Sequence, residues 1–207
     1  MSPDTQQQLE RRVAGVVLAG GRSVRFGGEK AAALLAGTPL VMWAARRLQR
    51  SCIAVAVNAR PGTEAEALAR DAGLPVLHDA PGDAAGPLAG VRAGLVWAQG
   101  LGARSLAVSP CDAPLLPDDV FTRLIAAASE GAAMAATQDG RQPLCAVWPV
   151  GALATVTAAL AGGAHPPTWQ VLESLEAQQV HFESAAAFAN LNTREDLAAV
   201  AARFEQR

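Results

Sequence analysis

Residues 13–30 read VAGVVLAGGRSVRFGGEK. The opening seven, Val13 to Ala19, form a short unbroken apolar run. Such a run fits a strand buried on both faces, as in a parallel sheet. It gives way to Gly20, Gly21, Gly27 and Gly28, four glycines within nine residues, closed by Lys30. Backbone N–H groups in so bare a loop can approach a phosphate or a base edge. The carboxyl end of a strand is also where open α/β sheets hold their ligands. No Ser or Thr follows Lys30, so the loop is not a P-loop, and the glycine spacing is not that of a dinucleotide fingerprint. Arg25 and Lys30 place two cations on the loop, which suits a triphosphate and would count most opposite a leaving pyrophosphate.

Outward from this stretch the pattern repeats. A helix-like segment opened by Pro39 leads to the strand-like run IAVAVN at 53–58. Thr63 then serves as N-cap of TEAEALARDAG, with acidic residues in the first turn and Gly73 as its stop. PVLHD (75–79) reads as a third strand, GPLAGVRAGLVWAQGLG (86–102) as a helix, SLAVSP (105–110) as a fourth strand, and Pro117 begins another helix. Four such alternations with short connections predict a three-layer α/β/α fold, Rossmann-like and wound around a mostly parallel sheet. After Thr137 the rhythm changes: Asp139-Gly140 is a hairpin signal, and RQPLCAVW behind it reads as an antiparallel partner strand. Helices about 150–162 and 167–178, a strand QVHFE and a final helix capped by Thr193 complete the chain. Thr193 and Asp196 have capping-box spacing. The expected organisation is a flexible tail at 1–12 and a single domain at 13–207.

Composition narrows the function classes. Seventeen Lys and Arg against nineteen Asp and Glu leave no basic excess for phosphate-driven nucleic-acid binding. Aromatic residues make up 4% of the chain and tyrosine is absent, which disfavours a base-stacking platform. No uncharged apolar run nears the roughly 20 residues that a bilayer span needs, and the polar start MSPDTQQQLERR lacks the apolar middle of a secretory signal. Cys52, Cys111 and Cys145 are odd in number and widely spaced, which argues against a disulfide framework or a zinc site. A cytoplasmic protein, without nucleic-acid or membrane partners, is expected.

Asp112 follows the fourth strand in Pro110-Cys111-Asp112-Ala113-Pro114. A single carboxylate at a strand end is what Mg²⁺ asks of a protein, because phosphate oxygens and waters fill the rest of its octahedron. Cys111 has no base partner visible in the sequence, so a nucleophilic thiol is not expected.

The motif Leu18-Ala19-Gly20-Gly21-Arg22-Ser23-Val24-Arg25-Phe26-Gly27-Gly28-Glu29-Lys30 resembles the signature loop of the molybdenum cofactor guanylyltransferase family, within the nucleotidyltransferase fold. Four further segments are similar to family motifs: Asn58 in VAVNAR, Asp79 before GPLAG, Cys111-Asp112-Ala113-Pro114, and Phe188-Ala189-Asn190-Leu191-Asn192-Thr193. The resemblance implies transfer of GMP from GTP to the terminal phosphate of molybdopterin, forming the guanine dinucleotide cofactor and pyrophosphate. It implies Leu18, Ala19, Gly20, Lys30, Asn58, Asp79 and Asp112 as nucleotide contacts, Arg25, Lys30 and Asp112 as catalytic groups, and Asp112 as the Mg²⁺ ligand. Gly86, Gly90, Asn190 and Asn192 fall on the side that would face the pterin.

A carboxylate at Asp79 suits guanine, since it accepts from both N1–H and the exocyclic amine; Asp83 on the same loop competes for that role. Glu29 stands where aspartate is commoner, Gln142 where histidine is frequent, and the stretch 164–168 lacks the basic residues of many relatives, leaving Arg141 as a substitute for holding the pterin phosphate. Substrate partners are then GTP and molybdopterin, with transient contact to cofactor-delivery proteins or molybdoenzymes. Alternatives are cytidylyl transfer to the same pterin, a sugar- or alcohol-phosphate nucleotidyltransferase, and a non-catalytic cofactor chaperone.

Overall fold

The computed structural model describes residues 12–21, 26–83, 86–129 and 131–205. The expected tail thus falls almost wholly outside the described residues, as does Arg25.

Strand β1 (Val13–Leu18) is an interior strand, third from one edge of a seven-stranded sheet. The chain then makes a small hairpin of β2 (Leu34–Leu35) and β3 (Thr38–Pro39), helix α1 (Leu40–Gln49), strand β4 (Ala54–Asn58), helix α2 (Glu64–Asp71) and strand β5 (Val76–Leu77). Helix α3 (Pro87–Gly100), strand β6 (Ser105–Pro110), helix α4 (Val120–Ala127), and strands β7 (Ala133–Thr137) and β8 (Gly140–Pro149) follow. Helices α5 (Leu153–Ala159) and α6 (Thr168–Ser174), strand β9 (Gln178–His181) and helix α7 (Arg194–Glu205) complete it. The strand order is β5-β4-β1-β6-β8-β7-β9. β1 pairs in parallel with β4 and β6, and β8 runs antiparallel to both β6 and β7.

The sheet is covered on both faces because β1 is apolar on both. Val13 and Val17 pack with Val41, Leu48 and Phe121 on one side, whereas Ala14 and Val16 pack with Leu88, Leu95 and Trp148 on the other. Each large side chain fully buried there contributes about 1.5–3 kcal/mol relative to exposure. Gly15 carries the close approach of α1 to β1: a Cβ there would lie 3.0 Å from Cys52 Sγ and 3.3 Å from Leu48 Cβ, so its absence lets α1 sit down on the strand.

Three local expectations change. The stretch expected as a helix from about 150 to 162 is an α-helix at Leu153–Ala159 flanked by 3-10 turns at Val150–Ala152 and Ala161–Gly163, where Gly162 and Gly163 at φ +69° and +76° end it. The one expected to 178 ends at Ser174, with Glu176 at φ 54° turning the chain into β9. The helix expected from Pro117 begins at Val120. β9 also pairs in parallel with β7, so the last quarter of the sheet mixes both directions.

The winding turns away from β1 in two directions: toward β4 and β5 first, then back across to β6. A crevice opens at the carboxyl ends of strands where an open sheet reverses in this way. The functional candidates collect there.

Candidate active site

The cleft has a volume of about 570 Å³, and its wall is built from strand ends. The β1 ladder extends one step beyond the strand on each side: Ala19 N–H donates to the Asn58 carbonyl at 2.8 Å, and Cys111 N–H to the Leu18 carbonyl at 3.3 Å. Leu18, Asn58 and Cys111 are thereby held side by side. Leu18, Ala19, Gly20, Lys30, Asn58, Asp79, Gly86, Asp112 and Asn192 all line the cleft.

Lys30 and Asp112 meet across it. Lys30 Nζ is 2.5 Å from Asp112 Oδ2 and 3.4 Å from Asn192 Oδ1. The side chains are 13% and 18% exposed, buried enough for charge to matter yet open on one side. Glu29, the residue before the lysine, is tied to the neighbouring helix: its carboxylate oxygens accept from the N–H groups of Glu64 at 2.7 Å and Ala65 at 2.8 Å, at the start of α2. A carboxylate is favoured at a helix N-terminus by its unpaired donors and dipole. On the far side, Leu191 N–H donates to the Asp112 carbonyl at 2.8 Å. Beneath it, buried Arg47 donates through Nη2 to the Pro114 carbonyl at 2.8 Å, and burial lowers the pKa of that guanidinium.

On the other wall Asn58 Nδ2 donates to Asp79 Oδ1 at 2.9 Å and reaches the Leu77 carbonyl at 3.3 Å. Asp79 is thus presented to the cleft with Oδ2 without a partner among the described residues. Asp83, its rival in sequence, is engaged elsewhere: it lies 2.7 Å from Arg92 Nη2, is 7% exposed and does not line the cleft.

The two glycines of GPLAG part company. A Cβ on Gly90 would fall 2.4 Å from Asn58 Oδ1 and 2.8 Å from Leu18 Cδ2, so this glycine lets α3 pack against the strand ends behind the cleft. Gly86 is at the cleft wall, with the His165 imidazole against it; a Cβ there would lie 1.3 Å from Nε2. The asparagines differ too. Asn192 lines the cleft, whereas Asn190 is exposed outside the lining, its carbonyl accepting from Asn192 Nδ2 at 3.5 Å. Arg141 stacks over Trp169 and pairs with Glu173 at 2.5 Å, away from the lining residues.

Burial pushes the Cys111 thiol up to about 12, with the Asp112 charge adding to it, and pushes Cys52 and Cys145 to about 12 as well. None is a thiolate near neutral pH. Among the described residues no three His, Cys, Asp or Glu side chains come together as a metal cage. Asp112 suits Mg²⁺ in the other way: Oδ1 has no hydrogen-bond partner among the described residues and the carboxylate borders an open cleft. One carboxylate with substrate phosphates and water is an ordinary Mg²⁺ environment.

Arg60 and Leu144 also line the cleft without having been singled out in the sequence. Arg60 stands two residues after Asn58 at the end of an extended run, which puts it on the same face. That spacing was the available signal.

A family-wide profile, that of the MobA-like NTP transferase domain, matches residues 15–180. A molybdenum cofactor guanylyltransferase of Cereibacter sphaeroides is 41% identical over 191 residues, which is 90% of this chain and 94% of that protein. One from Cupriavidus taiwanensis is 39% identical over 201 residues, 92% of this chain and 97% of that protein. Among solved structures, the molybdopterin-guanine dinucleotide biosynthesis protein A of Archaeoglobus fulgidus has the same fold, with TM-score 0.73 at 22% identity, covering 94% of this chain and all (100%) of that one.

Proposed function

The chain belongs to the MobA-like NTP transferase family, and we infer that it transfers GMP from GTP to the terminal phosphate of molybdopterin, releasing pyrophosphate. Relatives at about 40% identity over nearly their whole length carry the name molybdenum cofactor guanylyltransferase. The observation that carries the reading at the level of chemistry is the meeting of Lys30 and Asp112 in the cleft that also holds Asn58 and Asp79. Phosphate-directed charge and a base-directed carboxylate then share one space.

The reaction forms one P–O bond at the α-phosphorus of GTP and breaks the bond to the β,γ-pyrophosphate. The attacking phosphate oxygen is already anionic, so no general base is required. What the protein supplies is position and charge. The Gly20–Gly21 backbone lies against the nucleotide, and Lys30 neutralises charge gathering on the leaving pyrophosphate. Asp79, oriented by Asn58, accepts from guanine N1–H and the 2-amino group. Gly86 and Asn192 form the wall assigned to the pterin, and Gly90 acts through the seating of Asn58. Asp112 would hold Mg²⁺, which when bound withdraws charge from phosphate oxygens. Arg25 is assigned to the same phosphates from its place in the glycine loop. No helix among the described residues is long and apolar enough to cross a membrane, and soluble nucleotide and pterin substrates fit a cytoplasmic enzyme in transient contact with proteins that receive the cofactor.

The test is pyrophosphate release with molybdopterin and GTP, CTP or ATP. Release that needs both GTP and the pterin is expected. Release with CTP alone would replace the reading by cytidylyl transfer, and pterin binding with no release would replace it by a carrier role.

A further inference from the structure

Arg60 sits on the cleft wall with only one end of its guanidinium in use. Nε donates to the Gly20 carbonyl at 3.1 Å. The Nη atoms have no hydrogen-bond or ion-pair partner among the described residues, and the side chain is exposed yet lines the same cleft as Asp79. The two lie on either side of Asn58. Asn58 Nδ2 holds Asp79 at 2.9 Å, while its Oδ1 is 3.6 Å from where a Cβ of Gly20 would stand, the residue whose carbonyl anchors Arg60. Anchoring at Nε restrains the guanidinium beside the cleft that Arg60 lines and leaves both Nη groups available as donors.

A guanine that gives N1–H and its 2-amino group to Asp79 presents O6 and N7 along the adjoining edge. Two acceptors so spaced match the double donor edge of an arginine, and this pairing is the commonest specific contact to guanine. Adenine carries an amino donor in place of O6, and cytosine has no counterpart of N7. A lysine would bring charge without the planar fork.

We propose that Arg60 reads the O6/N7 edge of guanine beside Asp79 and so is a specificity-determining residue for the nucleotide. The proposal rests on the guanylyl-transfer reading. Arg60 thereby completes the base site from a second edge, whereas Lys30 serves the phosphates.

The experiment compares GTP with 7-deaza-GTP, in which a C–H replaces N7, using the full chain, molybdopterin and pyrophosphate release. In the wild type the KM for 7-deaza-GTP should exceed that for GTP on the order of tenfold. Arg60→Ala should raise the KM for GTP by at least that factor, since both contacts go, and that for 7-deaza-GTP by less, since only the O6 contact remained to lose, so that the gap between the two nucleotides closes. Arg60→Lys should restore only part of the gap, because an ammonium can reach the two acceptors but lacks the planar fork. Unfolding midpoints of both variants should match the wild type, since the side chain is exposed. An equal rise for both nucleotides would place Arg60 at the phosphates or the loop and overturn the proposal, as would no change at all. Failure of the wild type to use GTP would overturn this inference and the guanylyl reading together, and it would be visible without any variant.

Discussion

Lys30 Nζ and Asp112 Oδ2 lie 2.5 Å apart although the residues are separated by 82 positions in the chain. One comes from the loop after β1 and the other from the turn after β6, which are adjacent parallel strands. The central pairing of the sheet therefore sets the geometry of the site.

Each member of this pair should be indispensable for a different reason. Lys30→Ala should lower kcat on the order of 10²-fold and raise the GTP requirement, because charge on the leaving group goes unmatched. Asp112→Asn keeps the shape but loses the charge that would hold Mg²⁺, and should abolish turnover with a circular dichroism spectrum unchanged from wild type. Near-normal kinetics in either variant would remove that residue from the site.

The two glycines of GPLAG should respond oppositely to a methyl group. Gly90→Ala meets Asn58 and Leu18 at 2.4 and 2.8 Å, inside packed structure. It should cost about 1–3 kcal/mol of stability and raise the KM for GTP as Asn58 loses its hold on Asp79. The atoms nearest the methyl of Gly86→Ala belong to the ring of His165, an exposed side chain that can swing away, and the backbone at Gly86 is extended at φ 161°. Its stability should stay near wild type. Urea unfolding of both variants gives the comparison.

Glu29 should act as a cap. Glu29→Ala leaves the N–H groups of Glu64 and Ala65 without their acceptor and should lose about 1 kcal/mol, read as a lower urea midpoint at constant slope. Glu29→Asp, one methylene shorter, tests whether reach matters: a shortfall in GTP affinity there would show that the cap also steadies Lys30.

Stability should fall on the acid side through Glu66. The hydrogen bond from Arg70 is the main cause that lowers its pKa, and the Gly62 N–H adds to it. A folded-state pKa below the unfolded value, about 4.3 for glutamate, means that the unfolded chain binds the proton first. The contribution is therefore complete above that value and disappears as pH drops through the lower folded one. Glu66→Gln should flatten the stability profile below about pH 4.3 and leave its slope at neutral pH as in the wild type.

Local signals were readable in the chain because they act over a few residues. The cap at Thr63 is present, with Glu66 N–H donating to its hydroxyl at 3.4 Å, and the Thr193–Asp196 box closes in both directions at 3.1 and 2.9 Å. The doubly buried strands announced themselves as apolar runs, and the glycine loop and lone aspartate as residue types placed at strand ends. Positive φ at Glu176 was less visible, since a non-glycine residue turning left-handed leaves no mark in the sequence.

By itself, then, the sequence determined the alternating elements, their caps and the chemical inventory of the loops, all governed by contacts within about one helical turn or one strand period. The tertiary structure alone decided which of Asp79 and Asp83 faces the cleft, that Gly90 serves Asn58, that Asn192 rather than Asn190 reaches Lys30, and that Arg60 keeps an open edge. Those choices depend on strand order and on how α3 beds against the sheet. Such long-range distances are fixed by burying two apolar faces at once, and no short window of residues contains them.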